Sequence, residues 1–213
     1  MTEPYYRDDA VTLYHGDCLE ITEWLAADVL VTDPPYGIAL DTSSRDDWLP
    51  DHAPVAGDAD PFDPAPLLAL NKPTCMWGAN HYASRLHDAK GWVVWDKATR
   101  NGLDLKQAEV EFAWTNYLAR PKCFRHMWSG AYRDSECGTR YHPTQKPVAL
   151  LTWLLQLTPA GVVADPYAGS GSTLVAAKYL GRKAIGVELE ERYCEVIARR
   201  LAQDVLDFGG EAS

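Results

Sequence analysis

No apolar run in this chain approaches the roughly 20 residues that a membrane-spanning helix needs. The first residues are acidic and polar rather than signal-like. We therefore expect a soluble, cytoplasmic protein with no membrane partner. Cysteine is scarce and uneven. Cys18, Cys75, Cys123, Cys137 and Cys194 are scattered and odd in number, which argues for reduced thiols over a disulfide framework. Positive charge is also short, for the formal net charge is −10. Internal repeats are absent. What is there is a 46% hydrophobic composition in 213 residues, enough for one domain with a substantial core.

The acidity is not evenly spread. Residues 1–70 carry 15 acids against 2 bases, residues 71–147 carry 12 bases against 7 acids, and residues 148–213 carry 6 bases against 8 acids. Only the middle third is basic, and many aromatics lie there too. That suits contact with nucleic acid, with an ordinary solvated surface as the competing reading.

Short apolar runs alternate with helical patterns. Val11–Tyr14 reads as a strand, residues 18–27 as a short helix, and Asp28–Thr32 as a buried strand ending in Asp33-Pro34-Pro35-Tyr36. The prolines have no N–H, so they stop the ladder and fix the backbone. From Gly37 to Pro66 no hydrophobic period survives, which predicts a mobile lid or substrate loop. Then come a short helix over 67–70, a strand over 74–77, a helix over 81–87, and strands over 92–95 and 110–115. Residues 96–109 and 116–141 read as irregular, polar and basic. The last third gives a helix over 148–157, a strand over 162–164, a loop over 165–171, a helix over 172–180, a strand over 184–188 and a helix over about 191–206. This order predicts a Rossmann-like α/β fold with a doubly wound, mostly parallel sheet in a single domain.

The unit from Val162 to Glu188 is the strongest local signal. Gly169 and Gly171 let the backbone turn tightly and approach a ligand. The helix from Ser172 points free N–H groups at the same place. Glu188 ends the next strand, 23 positions after Asp165, where nucleotide binders place an acid on ribose hydroxyls. No Lys follows the second glycine, so this is not a phosphate loop, and the full dinucleotide fingerprint is missing too. Asp165 would repel a pyrophosphate but suits a positive amino group. A nucleoside that also carries an amino acid is S-adenosyl-L-methionine.

Asp33-Pro34-Pro35-Tyr36, then His142-Pro143-Thr144-Gln145-Lys146-Pro147, then Asp165-Pro166-Tyr167-Ala168-Gly169-Ser170-Gly171 together resemble the amino-methylating DNA methyltransferases, in the permuted group whose catalytic motif precedes the cofactor motif. The resemblance runs from Leu13 to Leu201 and is weak in residues 37–66 and 98–140. It implies that Asp165, Gly169, Ser170, Gly171 and Glu188 cradle S-adenosyl-L-methionine. It further implies that Asp17 contacts the adenine amino group, and that Lys146, with Thr144 and Gln145, holds the methionine carboxylate. Tyr167 stands where the family usually has Phe. The Asp33 carboxylate and the Pro34 carbonyl would accept hydrogen bonds from an exocyclic amine and localise its lone pair. Pro35 would stiffen the loop, and Tyr36 would stack on a base flipped out of double-stranded DNA.

Cytosine-C5 chemistry needs a thiolate, usually in a Pro-Cys pair, and no Pro-Cys occurs. Within that resemblance, Asp rather than Asn at position 33 favours DNA over glutamine or ribosomal RNA, and Asp rather than Ser favours adenine N6 over cytosine N4. A non-catalytic DNA-binding module on the same fold is the alternative of another class. Residues 37–66 and 98–140 are the candidate recognition segments, with Arg100, Lys122, Arg125, Arg133 and Arg140 as candidate DNA contacts near Trp128 and Tyr132. Specificity would be short or would depend on a homodimer. No nuclease motif is present, which points to a solitary or phage-borne enzyme, with a separate restriction endonuclease as the alternative. Cys123, His126, Cys137 and His142 have spacings compatible with zinc, but His142 belongs to the motif above, so no metal is expected.

Overall fold

The computed structural model describes residues 2–39, 55–98, 108–129, 132–137 and 141–203. Strands β1 (Tyr6–Arg7), β2 (Val11–His15) and β3 (Val29–Thr32) open the chain. Helix α1 (Ala65–Leu68) leads to β4 (Thr74–Trp77), β5 (Gly91–Asp96), β6 (Val110–Thr115) and β7 (Lys122–Arg125). A two-stranded ribbon of β8 (Trp128–Ser129) and β9 (Tyr132–Arg133) comes next. Helix α2 (Val148–Leu157), β10 (Val163–Asp165), α3 (Ser172–Tyr179), β11 (Ala184–Glu188) and α4 (Glu191–Ala202) follow.

The main sheet has the order β1-β2-β11-β10-β3-β4-β6-β5-β7. Its five central strands, from β2 to β4, are parallel. Strand β6 runs antiparallel to both β4 and β5. The chain leaves β10 towards β11 on one side and β3 towards β4 on the other. The crevice between the ends of β10 and β3 is therefore a topological switch point, where open α/β sheets bind ligands. Because β6 is reversed, its first residues lie at the same sheet edge as the last residues of β3, β5 and β10.

Both faces of the sheet are covered, and this explains why the strands read as unbroken apolar runs. Val29 and Val31 join the core beneath α2, α3 and α4, while Leu30 faces a second core with Trp24, Leu67 and Tyr82. Burying each such aliphatic side chain contributes about 1.5–3 kcal/mol. In α4 the apolar stripe is Tyr193, Cys194, Ile197 and Leu201. Glu191 in its first turn and Arg199 and Arg200 in its last complement the helix dipole.

Several expected elements differ. Residues 18–27 hold only a 3₁₀ turn, Glu23–Ala26. In place of the helix expected over 81–87 stand two 3₁₀ turns, Ala79–His81 and Ala83–Arg85, separated at Tyr82, whose φ of −132° is not helical. The Tyr82 hydroxyl donates to the Trp77 carbonyl and sinks into the core. The helix expected over 67–70 lies earlier, at Ala65–Leu68, with Pro66 in its first turn, where a missing N–H costs no helical bond. The stretch 116–141, expected to be irregular, contributes β7, parallel to β5, and the β8–β9 ribbon. These strands are too short to show a period. Residues 40–54 of the expected lid, residues 99–107, 130–131 and 138–140 of the expected recognition segment, and the end of the last helix beyond 203 lie outside the described residues. So do Arg100 and Arg140. Among the described residues no helix is long and apolar enough to cross a membrane.

Candidate active site

The Gly loop follows directly from the backbone. Gly171 caps α3 at φ 79°, and a Cβ there would come within 2.8 Å of the Ile197 side chain. Only glycine relieves both constraints. The Gly169 N–H donates to Glu188 Oε2 at 2.7 Å, and the Glu190 N–H donates to Oε1 at 2.8 Å. Burial pushes the Glu188 carboxyl up to about 7. Asp17 lies at the neighbouring strand end, exposed, with its carboxylate accepting the Leu19 N–H at 2.8 Å.

Asp165 is buried beneath this loop. It accepts the Thr32 hydroxyl at 2.7 Å and the Tyr167 N–H at 3.2 Å. Burial pushes its carboxyl up to about 6. The Thr32–Asp165 bond ties the end of β3 to the end of β10, and Asp33 is the next residue. With Ser170, Asp165 faces a small cavity of about 50 Å³, while Asp17, Tyr167, Gly169 and Glu188 line a larger cleft of about 570 Å³.

That larger cleft continues past Asp33, Pro34, Pro35 and Tyr36. The Tyr36 hydroxyl donates to Asp33 Oδ1 at 2.6 Å, and the Lys146 ammonium pairs with Asp33 Oδ2. Lys146 also lies 3.2 Å from Glu111 Oε2, and Lys97 binds Glu111 Oε1 at 2.7 Å. Burial pushes the Asp33 carboxyl above its ordinary value, and the single ammonium beside it offsets this only in part. Burial acts on Glu111 in the same sense, but two ammonium groups outweigh it and hold that carboxyl at about 2. Burial opposes the charge on Lys146, yet Asp33 and Glu111 carry its pKa above the usual lysine range. Tyr36 stays protonated, because burial and the Asp33 charge push its phenol well upward. Its ring stacks on His81 with centroids 5.1 Å apart. Gly78 lies against that ring at φ 69°, and a Cβ there would come within 2.0 Å of it.

The loop after β3 is pinned by an acid that the sequence did not single out. Asp58 Oδ1 accepts the N–H groups of Tyr36 at 2.9 Å, Gly37 at 2.8 Å and Ile38 at 3.3 Å. A second brace joins the Gly loop to the Lys146 segment. Buried Arg200 donates to the Ser170 carbonyl at 2.6 Å and to Glu136 at 3.2 Å. Glu136 in turn accepts Gln145 Nε2 at 3.0 Å and the Val148 N–H at 2.8 Å. Thr144 bonds the His142 ring, its hydroxyl at 3.0 Å. Thus Thr144 and Gln145 make intramolecular bonds, and Lys146 faces the Asp33 side of the cleft.

Ile197 and Leu201 lie on the buried face of α4, and Arg200 shares it. Glu111 and Lys97 gave no signal, since each stands alone at a strand end. Of the basic residues expected to meet DNA, Arg133 lines the cleft and stacks over Trp128 at 4.2 Å. Arg125 is exposed and lies 3.5 Å from Asp96, and Lys122 is half-buried on β7. Cys123 and Cys137 are exposed free thiols, and no metal-holding cluster occurs among the described residues.

Residues 56–199 match a family model of DNA methylases, the N6 and N4 type. YubD of Escherichia coli (strain K12), which carries a provisional methylase name, is 29% identical over 210 residues, covering 88% of each chain. The type II methyltransferase M.ScaI of Streptomyces caespitosus is 26% identical over 255 residues, covering 93% of this chain and 84% of its own. Among solved structures, the cytosine-N4-specific PvuII DNA methyltransferase has the same fold, with a TM-score of 0.64, 15% identity and coverage of 95% and 90%. The M1.HpyAVI–SAM complex gives a TM-score of 0.56 at 22% identity, covering 90% of this chain and 99% of its own.

Proposed function

Since the chain belongs to the N6/N4 DNA methylase family, we propose that it transfers a methyl group from S-adenosyl-L-methionine to the exocyclic N6 of adenine in a flipped base of double-stranded DNA. The observation that carries this reading is the bond between Thr32 and Asp165. It fixes the acceptor motif beside the Gly loop, and one cleft of about 570 Å³ spans both.

The residues present fit the methyl donor. The Gly169–Glu188 turn keeps a carboxylate at the end of β11 for ribose hydroxyls. The Asp17 carboxylate lines the same end of the cleft, where a negative group suits a cationic nucleoside. When bound, S-adenosylmethionine supplies a methyl group activated by its sulfonium. Everything else falls to the protein. Asp33 and the Pro34 carbonyl accept the amine N–H bonds, which turns the nitrogen lone pair towards the donor. Pro34 and Pro35 hold these acceptors still, so little reorganisation is needed during transfer. Tyr36 supports the base with its ring and orients Asp33 with its hydroxyl. Proximity and preorganised acceptors provide the acceleration, with no covalent enzyme intermediate.

Adenine is favoured over cytosine by the acid at position 33. Residues 98–140, including Lys122, Arg125 and Arg133, contribute the phosphate and sequence contacts, and residues 37–66 cover the flipped base. Digestion of treated DNA to nucleosides, followed by mass spectrometry, tests the reading. N6-methyladenine is expected. N4-methylcytosine alone overturns the choice of base, and unmodified DNA overturns the transfer itself.

A further inference from the structure

Four charged side chains meet at the wall of the cleft, each from a different part of the chain. Asp33 follows β3, Lys146 precedes α2, Glu111 is the second residue of β6 and Lys97 follows β5. They alternate in sign. Lys146 donates to Asp33 Oδ2 and to the Tyr36 hydroxyl and forms an ion pair with Glu111 Oε2 at 3.2 Å, while Lys97 binds the other Glu111 oxygen at 2.7 Å. Glu111 has no direct bond to Asp33. The Lys146 side chain is 6% exposed, so its ammonium has little water to turn to.

A buried cluster of this kind is a poor source of stability. Desolvating each charge offsets the attraction, and apolar residues of similar volume would serve as well. Its position is more telling. An acceptor for an amine must be charged and fixed, yet keep lone pairs free. If Lys146 belonged to Asp33 alone, the ammonium would compete with the amine for that carboxylate. Without Lys146, buried Asp33 would tend to bind a proton and present a donor. We propose that Glu111, steadied by Lys97, is a positioning residue that takes a share of the Lys146 ammonium and so sets how tightly it holds Asp33. The acceptor is thereby oriented without being saturated. This role rests on the methyl-transfer reading above.

The test uses Glu111→Gln and Lys97→Met in the full-length protein, with tritiated S-adenosylmethionine and duplex DNA. Both variants are expected to lower kcat about 10-fold while cofactor affinity stays within about 2-fold. The pH profile separates positioning from packing. The titratable or charged groups whose fields reach Asp33 are Lys146, Glu111, Tyr36, Tyr82, Cys75 and Asp165. Glu111→Gln removes a negative neighbour, so the acid limb of kcat moves to lower pH. Lys97→Met frees Glu111 to draw Lys146 away, so the limb moves to higher pH. Limbs that stay in place, or move in the same direction, overturn the role, as does wild-type kcat in both variants. Wild-type protein that binds the cofactor but leaves DNA unlabelled overturns the transfer reading, and this role with it.

Discussion

The two ends of the cleft are built in opposite ways. The Gly-loop end comes mostly from one stretch, residues 165–190, with Asp17 beside it, and works largely through backbone: a left-handed glycine, a helix start and a carboxylate bonded to the Gly169 and Glu190 N–H groups. The Asp33 end is assembled from side chains at positions 33, 97, 111 and 146, and Glu111 joins them only because β6 runs against its neighbours. A ligand that must be cradled calls for shape, which a short motif encodes. A reaction that must be steered calls for charges set against one another, which requires the whole sheet. Damage at the Asp33 end should therefore lower turnover, and damage at the Gly loop should lower cofactor affinity.

Tyr36→Ala should give the larger effect. It removes both the stacking ring and the hydroxyl on Asp33, so kcat should fall about 100-fold with cofactor affinity nearly unchanged. Rapid-quench transfer assays alongside calorimetric cofactor titration check this, and a parallel loss of both would blur the contrast. Asp58→Ala should lower kcat about 10-fold, because three N–H groups of the Asp33 loop lose their acceptor. Steady-state kinetics at saturating cofactor reads this out.

At the other end the expected effect is smaller and depends on pH. Burial raises the folded-state pKa of Glu188 to about 7 and that of Asp165 to about 6. Folded protein then holds protons that the unfolded chain has released, so stability falls as pH rises from about 4.5 through 7. Thermal unfolding of the cofactor-free protein should show Tm declining across that window, and Glu188→Gln should flatten the decline. A Tm that climbs over the same range would count against the burial of these carboxyls. The smallest effect is expected at Arg125, whose side chain is 72% exposed. Arg125→Ala should weaken DNA binding about 2- to 3-fold and reduce the salt slope by about 1, without changing cofactor affinity. Fluorescence anisotropy at several salt concentrations measures both.

The same contrast explains what was legible in the sequence. Strand–loop–helix–strand order, the two glycines and the Glu188 spacing are local, so the Gly-loop end could be read directly. Asp33 and Tyr36 stood out because two prolines after an apolar strand are unusual. Glu111 and Lys97 could not be read, because nothing local tells that β6 is reversed and brings its start to the ligand edge. Asp58 lay within a stretch whose acidity looked featureless, and only the folded backbone shows its three bonds. Arg200 was hidden by its charge, although it shares the buried face of α4 with Ile197 and Leu201.

Asp33→Ala tests the division between the two ends most directly, with methyl transfer to DNA and S-adenosylmethionine affinity measured on the same preparation. Transfer should fall about 1,000-fold or more while the cofactor Kd stays within about 3-fold. Transfer at the wild-type rate, or cofactor binding lost together with transfer, would contradict the account.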